Sequence, residues 1–175
     1  MTGRQRPARW MVSAGGVVIA GLLGGCGNDD DGADASDGRA ELIAQADAIC
    51  ERIDAEGEQL SAEVYGEDFS LEPTLEAQAE FLRRLVAGVE DGLAEIEVLP
   101  GPADGKAILE RVFSEDPFIA DARAAIALAD AGDEAGLEAA LTALFDEGSD
   151  PDPALVEQAR DYGFRSCVPS TEDDD

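Results

Sequence analysis

The chain has 175 residues, with 12 basic and 40 acidic side chains and a formal net charge of −28. The length suits one domain with a core of its own, and a surface of that sign repels phosphate backbones and anionic lipid headgroups, so nucleic acid is excluded as an expected partner. No histidine occurs anywhere, which closes Ser-His-Asp and Cys-His nucleophile activation and every histidine-ligated zinc or iron site.

At the N-terminus, Arg4, Arg6 and Arg9 precede a run of 14 uncharged residues from Trp10 to Leu23. A bilayer-spanning helix needs roughly 17 to 25 apolar residues, whereas a basic head and a short apolar run make a secretory signal. The run ends in Leu23-Gly24-Gly25-Cys26, which resembles the lipobox of bacterial lipoproteins, with leucine three positions before a cysteine and small residues between. The resemblance implies that residues 1–25 are a signal peptide removed at Cys26. It also implies that the Cys26 sulfur carries a diacylglyceryl group, and that the protein sits on the extracytoplasmic side of the membrane in the cell envelope. Two acyl chains suffice for stable anchoring. The competing reading is ordinary cleavage at Ala33-Asp34-Ala35, ten residues beyond the apolar run. Gly27 follows the lipid site, so the aspartate that marks inner-membrane retention in Gram-negative lipoproteins is absent.

Residues 26–38 contain no large apolar side chain and read as an acidic flexible tether with a reach on the order of 20 Å. An EF-hand reading fails here, because placing Gly32 or Gly38 at the glycine position puts Gly27 or Ala33 where a carboxylate is required.

From Arg39 the pattern turns helical. Leu42, Ala46, Ile49, Cys50, Ile53 and Leu60 recur at helical spacing with acids between them. A loop over 64–72 carries Tyr65, Gly66 and Phe69, and Pro73 is expected in the first turn of a second helix with Leu75, Ala79, Leu82, Val86, Val89, Leu93 and Ile96. Pro100-Gly101-Pro102 ends it. Ile108, Leu109, Val112 and Phe113 mark a third helix, broken at Pro117, where a fourth begins and runs to Gly132. Asp133 caps a fifth, with Leu137, Leu141, Leu144 and Phe145 and a stop at Gly148, and Asp152-Pro153 opens a last one bearing Leu155, Val156, Ala159 and Tyr162. No alternating β-branched run is present. The fold class is all-α, a bundle of five to six helices over 39–168, followed by an acidic tail at 169–175 expected to be disordered.

With Cys26 taken by lipid, Cys50 and Cys167 remain in an oxidising compartment and are expected to form a disulfide between the first helix and the C-terminal segment. Buried thiols or a redox pair are the alternative, without the Cys-x-x-Cys spacing of the latter. The surroundings of the two, Ala46-Asp47-Ala48-Ile49-Cys50 and Tyr162-Gly163-Phe164-Arg165-Ser166-Cys167, resemble those in small helical lipoproteins of actinobacteria. That resemblance implies a secreted helical domain clipped first to last and brings no activity with it.

No catalytic residue, cofactor or metal ligand stands out. Lys106, the sole lysine, lacks the glycine spacing of a P-loop and reads as a solvated helix residue. Glu76 with Glu80, or Glu90 with Glu95, offer carboxylate pairs, yet Glu76, Glu80 and Arg84 step by four, as on an ion-paired solvated face. Most aromatic residues fall in the apolar stripes and are expected in the core. Tyr65 and Phe69 are candidates for a partner contact, against a second reading in which their loop folds back and plugs the bundle, which the need to close a core favours. Two functions stand open. One is a non-enzymatic envelope lipoprotein that binds another envelope protein or a ligand. The other is a divalent-cation module built on Asp130, Asp133 and Glu134 or on the acids from Glu172 to Asp175.

Overall fold

The structure, a computed structural model, describes residues 33–146 and 151–169, with side chains from Gly38 onward except that of Asp146. Among them lie six helices and no strand: α1 (Ala33–Tyr65), α2 (Leu75–Glu97), α3 (Ala103–Ser114), α4 (Pro117–Ala131), α5 (Glu134–Asp146) and α6 (Pro153–Tyr162). Residues 1–25, read from the sequence as a signal peptide, Cys26 and the segment 170–175 fall outside the described residues. So does Gly148.

The helix boundaries follow from local chemistry. The Thr74 side chain accepts from the Ala77 N–H at 3.2 Å to start α2. Asp116 accepts from Phe118 and Ile119 ahead of Pro117, Asp133 from Gly136, and Asp152 from Ala154 ahead of Pro153. Each satisfies an amide that a helix start leaves open. Gly132 and Gly163 end α4 and α6 in the left-handed region, at φ 70° and 114°.

Several boundaries differ from the sequence reading. Val64 and Tyr65, read as the start of a loop, are the last residues of α1, since the break comes only at Gly66 in the left-handed region. Pro73 lies one residue before the Thr74 cap rather than inside α2, because the threonine hydroxyl supplies a side-chain acceptor that proline lacks. And α1 begins at Ala33, inside the stretch 26–38 read as tether. Extending an existing helix costs far less than nucleating one, and aspartates favour a helix N-terminus.

α1 and α2 form an antiparallel spine. Arg52 of α1 pairs with Glu95 of α2, and Glu63 further along α1 pairs with Arg84 further back along α2. The two helices approach closely at Gly92, where a Cβ would lie 2.3 Å from Ile53 Cδ1. At one end of the spine, Leu42, Ala46 and Cys50 pack with Ile96, with α3, with α6 and with Phe164. At the other, Leu60, Ala79, Leu82 and Val86 pack with α4 and α5. Ile53, Val89 and Ile119 join the two cores.

The disulfide closes the first end. Cys50 and Cys167 are bonded, with Cα atoms 5.1 Å apart and a sequence separation of 117. Beside them Asp47 accepts from the backbone N–H groups of Arg165 and Ser166 at 3.0 Å, and Glu51 accepts from the Ser166 hydroxyl at 3.0 Å.

Candidate functional site

The second end of the bundle exposes what its core cannot cover. α1 stops at Gly66, φ 80°, whose N–H donates to the Ala62 carbonyl. The chain then turns through Phe69, whose N–H donates to Gly66, and Leu71, whose N–H donates to the Tyr65 carbonyl. These bonds fold the loop back over the helix end. Phe69 sits at φ 54°, the left-handed region that side chains beyond glycine, asparagine and aspartate rarely adopt.

Tyr65 is the hub of that end. Its ring centroid lies 5.9 Å from Phe69, 5.6 Å edge-on from Phe81 of α2 and 5.9 Å from Phe145 of α5. Such spacings suit favourable aromatic pairs. Its hydroxyl is buried with no hydrogen-bond partner among the described residues, and burial pushes its pKa up to about 12. Phe81 is buried, but Phe69, Leu71 and Phe145 are 60%, 55% and 44% exposed.

The structure separates the two aromatic residues singled out from the sequence. Tyr65 packs against the core, and Phe69 stands out of it. Phe145, expected in the core, is instead half exposed, and Leu71 drew no attention from the sequence. Helical spacing groups Phe145 with Leu137, Leu141 and Leu144, all buried. At about 100° of rotation per residue it stands at the edge of the stripe that those three centre on the core. The one available signal was an apolar leucine among the acids of the loop.

The acidic positions resolve into ion pairs and caps. Glu80 pairs with Arg83, not Arg84, and Arg84 reaches Glu63 of α1. Glu90 pairs with Arg123 of α4, and Glu95 with Arg52. Asp130 binds Arg83 at 2.6 Å while Asp133 caps α5, so the proposed cation cluster is divided between other tasks. Among the described residues no three acids or cysteines converge to hold a metal. The second acidic stretch, Glu172 to Asp175, lies outside them. Lys106 is not free in solvent: its ammonium donates to the carbonyls of Glu97 and Leu99 and so closes the C-terminus of α2.

No described helix is long and apolar enough to cross a membrane. Comparison with protein-family models, with curated proteins and with solved structures finds no match.

Proposed function

We propose that this chain is a non-enzymatic lipoprotein of the cell envelope, anchored in the membrane through Cys26, whose helical domain holds its aromatic end out to another envelope protein. The observation that carries the interaction reading is the gathering of Phe69, Leu71 and Phe145, all exposed, around Tyr65. Large apolar side chains grouped at one surface mark an interaction site, whereas scattered ones do not. The anchoring reading is supported by Leu23-Gly24-Gly25-Cys26 behind a basic, apolar leader.

The two parts fit together in geometry. α1 has 33 residues and ends at Tyr65, so at 1.5 Å per residue it sets the aromatic end about 50 Å from the helix start, which faces Cys26 in sequence. A rigid rod of that length separates a contact surface from a membrane. Mass spectrometry of the protein from its native host tests the anchor. A mature chain starting at Cys26 with a diacylglyceryl mass supports it, and a chain starting elsewhere without lipid overturns it. Substituting Phe69→Ser with Phe145→Ser tests the surface, by loss of a partner crosslinked in intact cells at unchanged helicity.

A further inference from the structure

The aromatic end has a charge environment that restricts what can cover it. From Ile53 to Leu82 and from Ala124 to Ala159 the chain holds no lysine or arginine, and these stretches supply the end of α1, the loop, the start of α2 and all of α5. The nearest basic residues beyond them in α2, Arg83 and Arg84, are engaged by Asp130 at 2.6 Å and by Glu63 at 3.0 Å. Glu67 precedes and Glu72 follows the exposed Phe69 and Leu71, Glu76 lies in the first turn of α2, and none of the three has a basic partner among the described residues. The patch is thus apolar in the middle and acidic along the loop that carries it.

Three occupants can be weighed on that charge. A second copy would set acid against acid, with a net charge of −28 on each chain, and like charges across an interface oppose association. An anionic membrane surface is repelled in the same way. A partner with both apolar and basic side chains satisfies both halves of the surface.

Backbone and side chain at the same place show that the surface is held at a cost to the free chain. Phe69 is in the left-handed region, and the Tyr65 hydroxyl is buried without a hydrogen-bond partner among the described residues. Departures of this kind from local preference gather where a chain binds something.

We propose that the aromatic end is the docking site for a cationic amphipathic helix of a partner protein, its apolar stripe lying on Phe69, Leu71 and Phe145 and its lysines or arginines facing Glu67, Glu72 and Glu76. The proposal rests on the interaction reading above and adds the chemistry of the partner. Recognition of an amphipathic helix is read through apolar anchors at helical spacing, with charge setting the choice of partner.

The test uses the full chain in phosphatidylcholine nanodiscs, with empty nanodiscs as blank, and three labelled probes followed by fluorescence anisotropy: an amphipathic Leu/Lys helix, its Leu/Glu counterpart and polylysine. The expected result is binding of the Leu/Lys helix at least about tenfold tighter than either other probe. That affinity falls with added salt, and it falls about tenfold or more in Phe69→Ser with Phe145→Ser. Both side chains are exposed, so the variant keeps its fold, checked by its thermal midpoint, and Leu71→Ser serves as a second variant. Equal binding of the Leu/Lys and Leu/Glu helices, lost in the serine variants, overturns the charge assignment and leaves the interaction surface standing. Binding of polylysine as tight as the Leu/Lys helix and indifferent to the serine variants overturns the site, since acidity alone then accounts for it. A chain that binds no probe but dimerises through Phe69 and Phe145 assigns the surface to a second copy and overturns the proposal. No probe bound by a monomeric chain overturns the proposal, and with it the interaction reading if the crosslink in cells is also absent.

Discussion

The guanidinium of Arg39 lies 4.2 Å from the centroid of the Tyr162 ring, and its Nε and Nη2 donate to the backbone carbonyl of the same residue at 3.1 and 2.6 Å. One side chain near the start of α1 therefore holds the end of α6 by ring and by backbone. It places positive charge where the aligned peptide dipoles of α6 leave negative charge.

From this contact, Arg39→Ala is expected to lower the free energy of unfolding by about 1–2 kcal/mol, the sum of a cation–π contact and a charged cap at an exposed site. Arg39→Lys should recover only part of that, because an ammonium lacks the planar fork that reaches ring and carbonyl together. Urea unfolding followed by circular dichroism measures both, and an alanine variant as stable as the parent refutes the clasp.

Removing the disulfide should cost more. The bond spans 117 residues, and restriction of so long a loop in the unfolded chain corresponds to about 4–5 kcal/mol. Cys50→Ala with Cys167→Ala is expected to approach that loss. Asp47→Ala should cost about 1 kcal/mol by freeing two backbone N–H groups at the same segment. Hydrogen exchange at Arg165 and Ser166 should speed up in Asp47→Ala while exchange in α5 does not change.

At the crossing of α1 and α2, Gly92→Ala would bring a methyl to 2.3 Å from Ile53 Cδ1. The expected loss is about 1–3 kcal/mol from overpacking. Ile53→Val lacks that Cδ1, so the double variant should be more stable than the sum of the two single changes predicts. Additive losses in a double-mutant cycle contradict this account of the contact.

Asp54 is half-buried on α1, and desolvation first, then the neighbouring Glu58 and Glu51, raise its pKa from 3.8 to about 6. The folded chain therefore holds a proton between about pH 4 and 6 that the unfolded chain has lost. The stabilisation from that proton is complete below pH 4 and disappears as pH rises through 6. With the site still partly open to solvent, screening reduces the effect to about 1 kcal/mol. Asp54→Asn should raise stability at pH 7 by that amount and leave it little changed at pH 4, as read from thermal midpoints at the two pH values.

The unpaired hydroxyl of Tyr65 makes Tyr65→Phe an expected gain. A buried polar group without a partner costs about 1–3 kcal/mol, and phenylalanine keeps the ring against Phe81 and Phe145. A rise in the thermal midpoint, with binding of the Leu/Lys helix retained, separates the packing role of the ring from any role of the hydroxyl in recognition. A lowered midpoint means that the hydroxyl has a partner in solution.

What the sequence by itself determined lies within a few residues of each signal. Asp116-Pro117, Asp152-Pro153 and Gly132 place helix ends because capping and left-handed termination are satisfied inside one turn. The apolar stripes make an all-α chain, and the count of cysteines left beside Cys26 pairs Cys50 with Cys167, as found. Tertiary structure decided what depends on distance across the bundle. It sent Arg84 to Glu63 of α1 rather than to Glu80 of its own helix, set Lys106 against the carbonyls of α2, and gathered Tyr65, Phe69 and Phe145 from three segments into one surface. Helical periodicity tells which face of a helix is apolar, but not how wide an arc of that face a neighbour covers. For that reason Leu144 is buried and Phe145, about 100° further around α5, is half exposed.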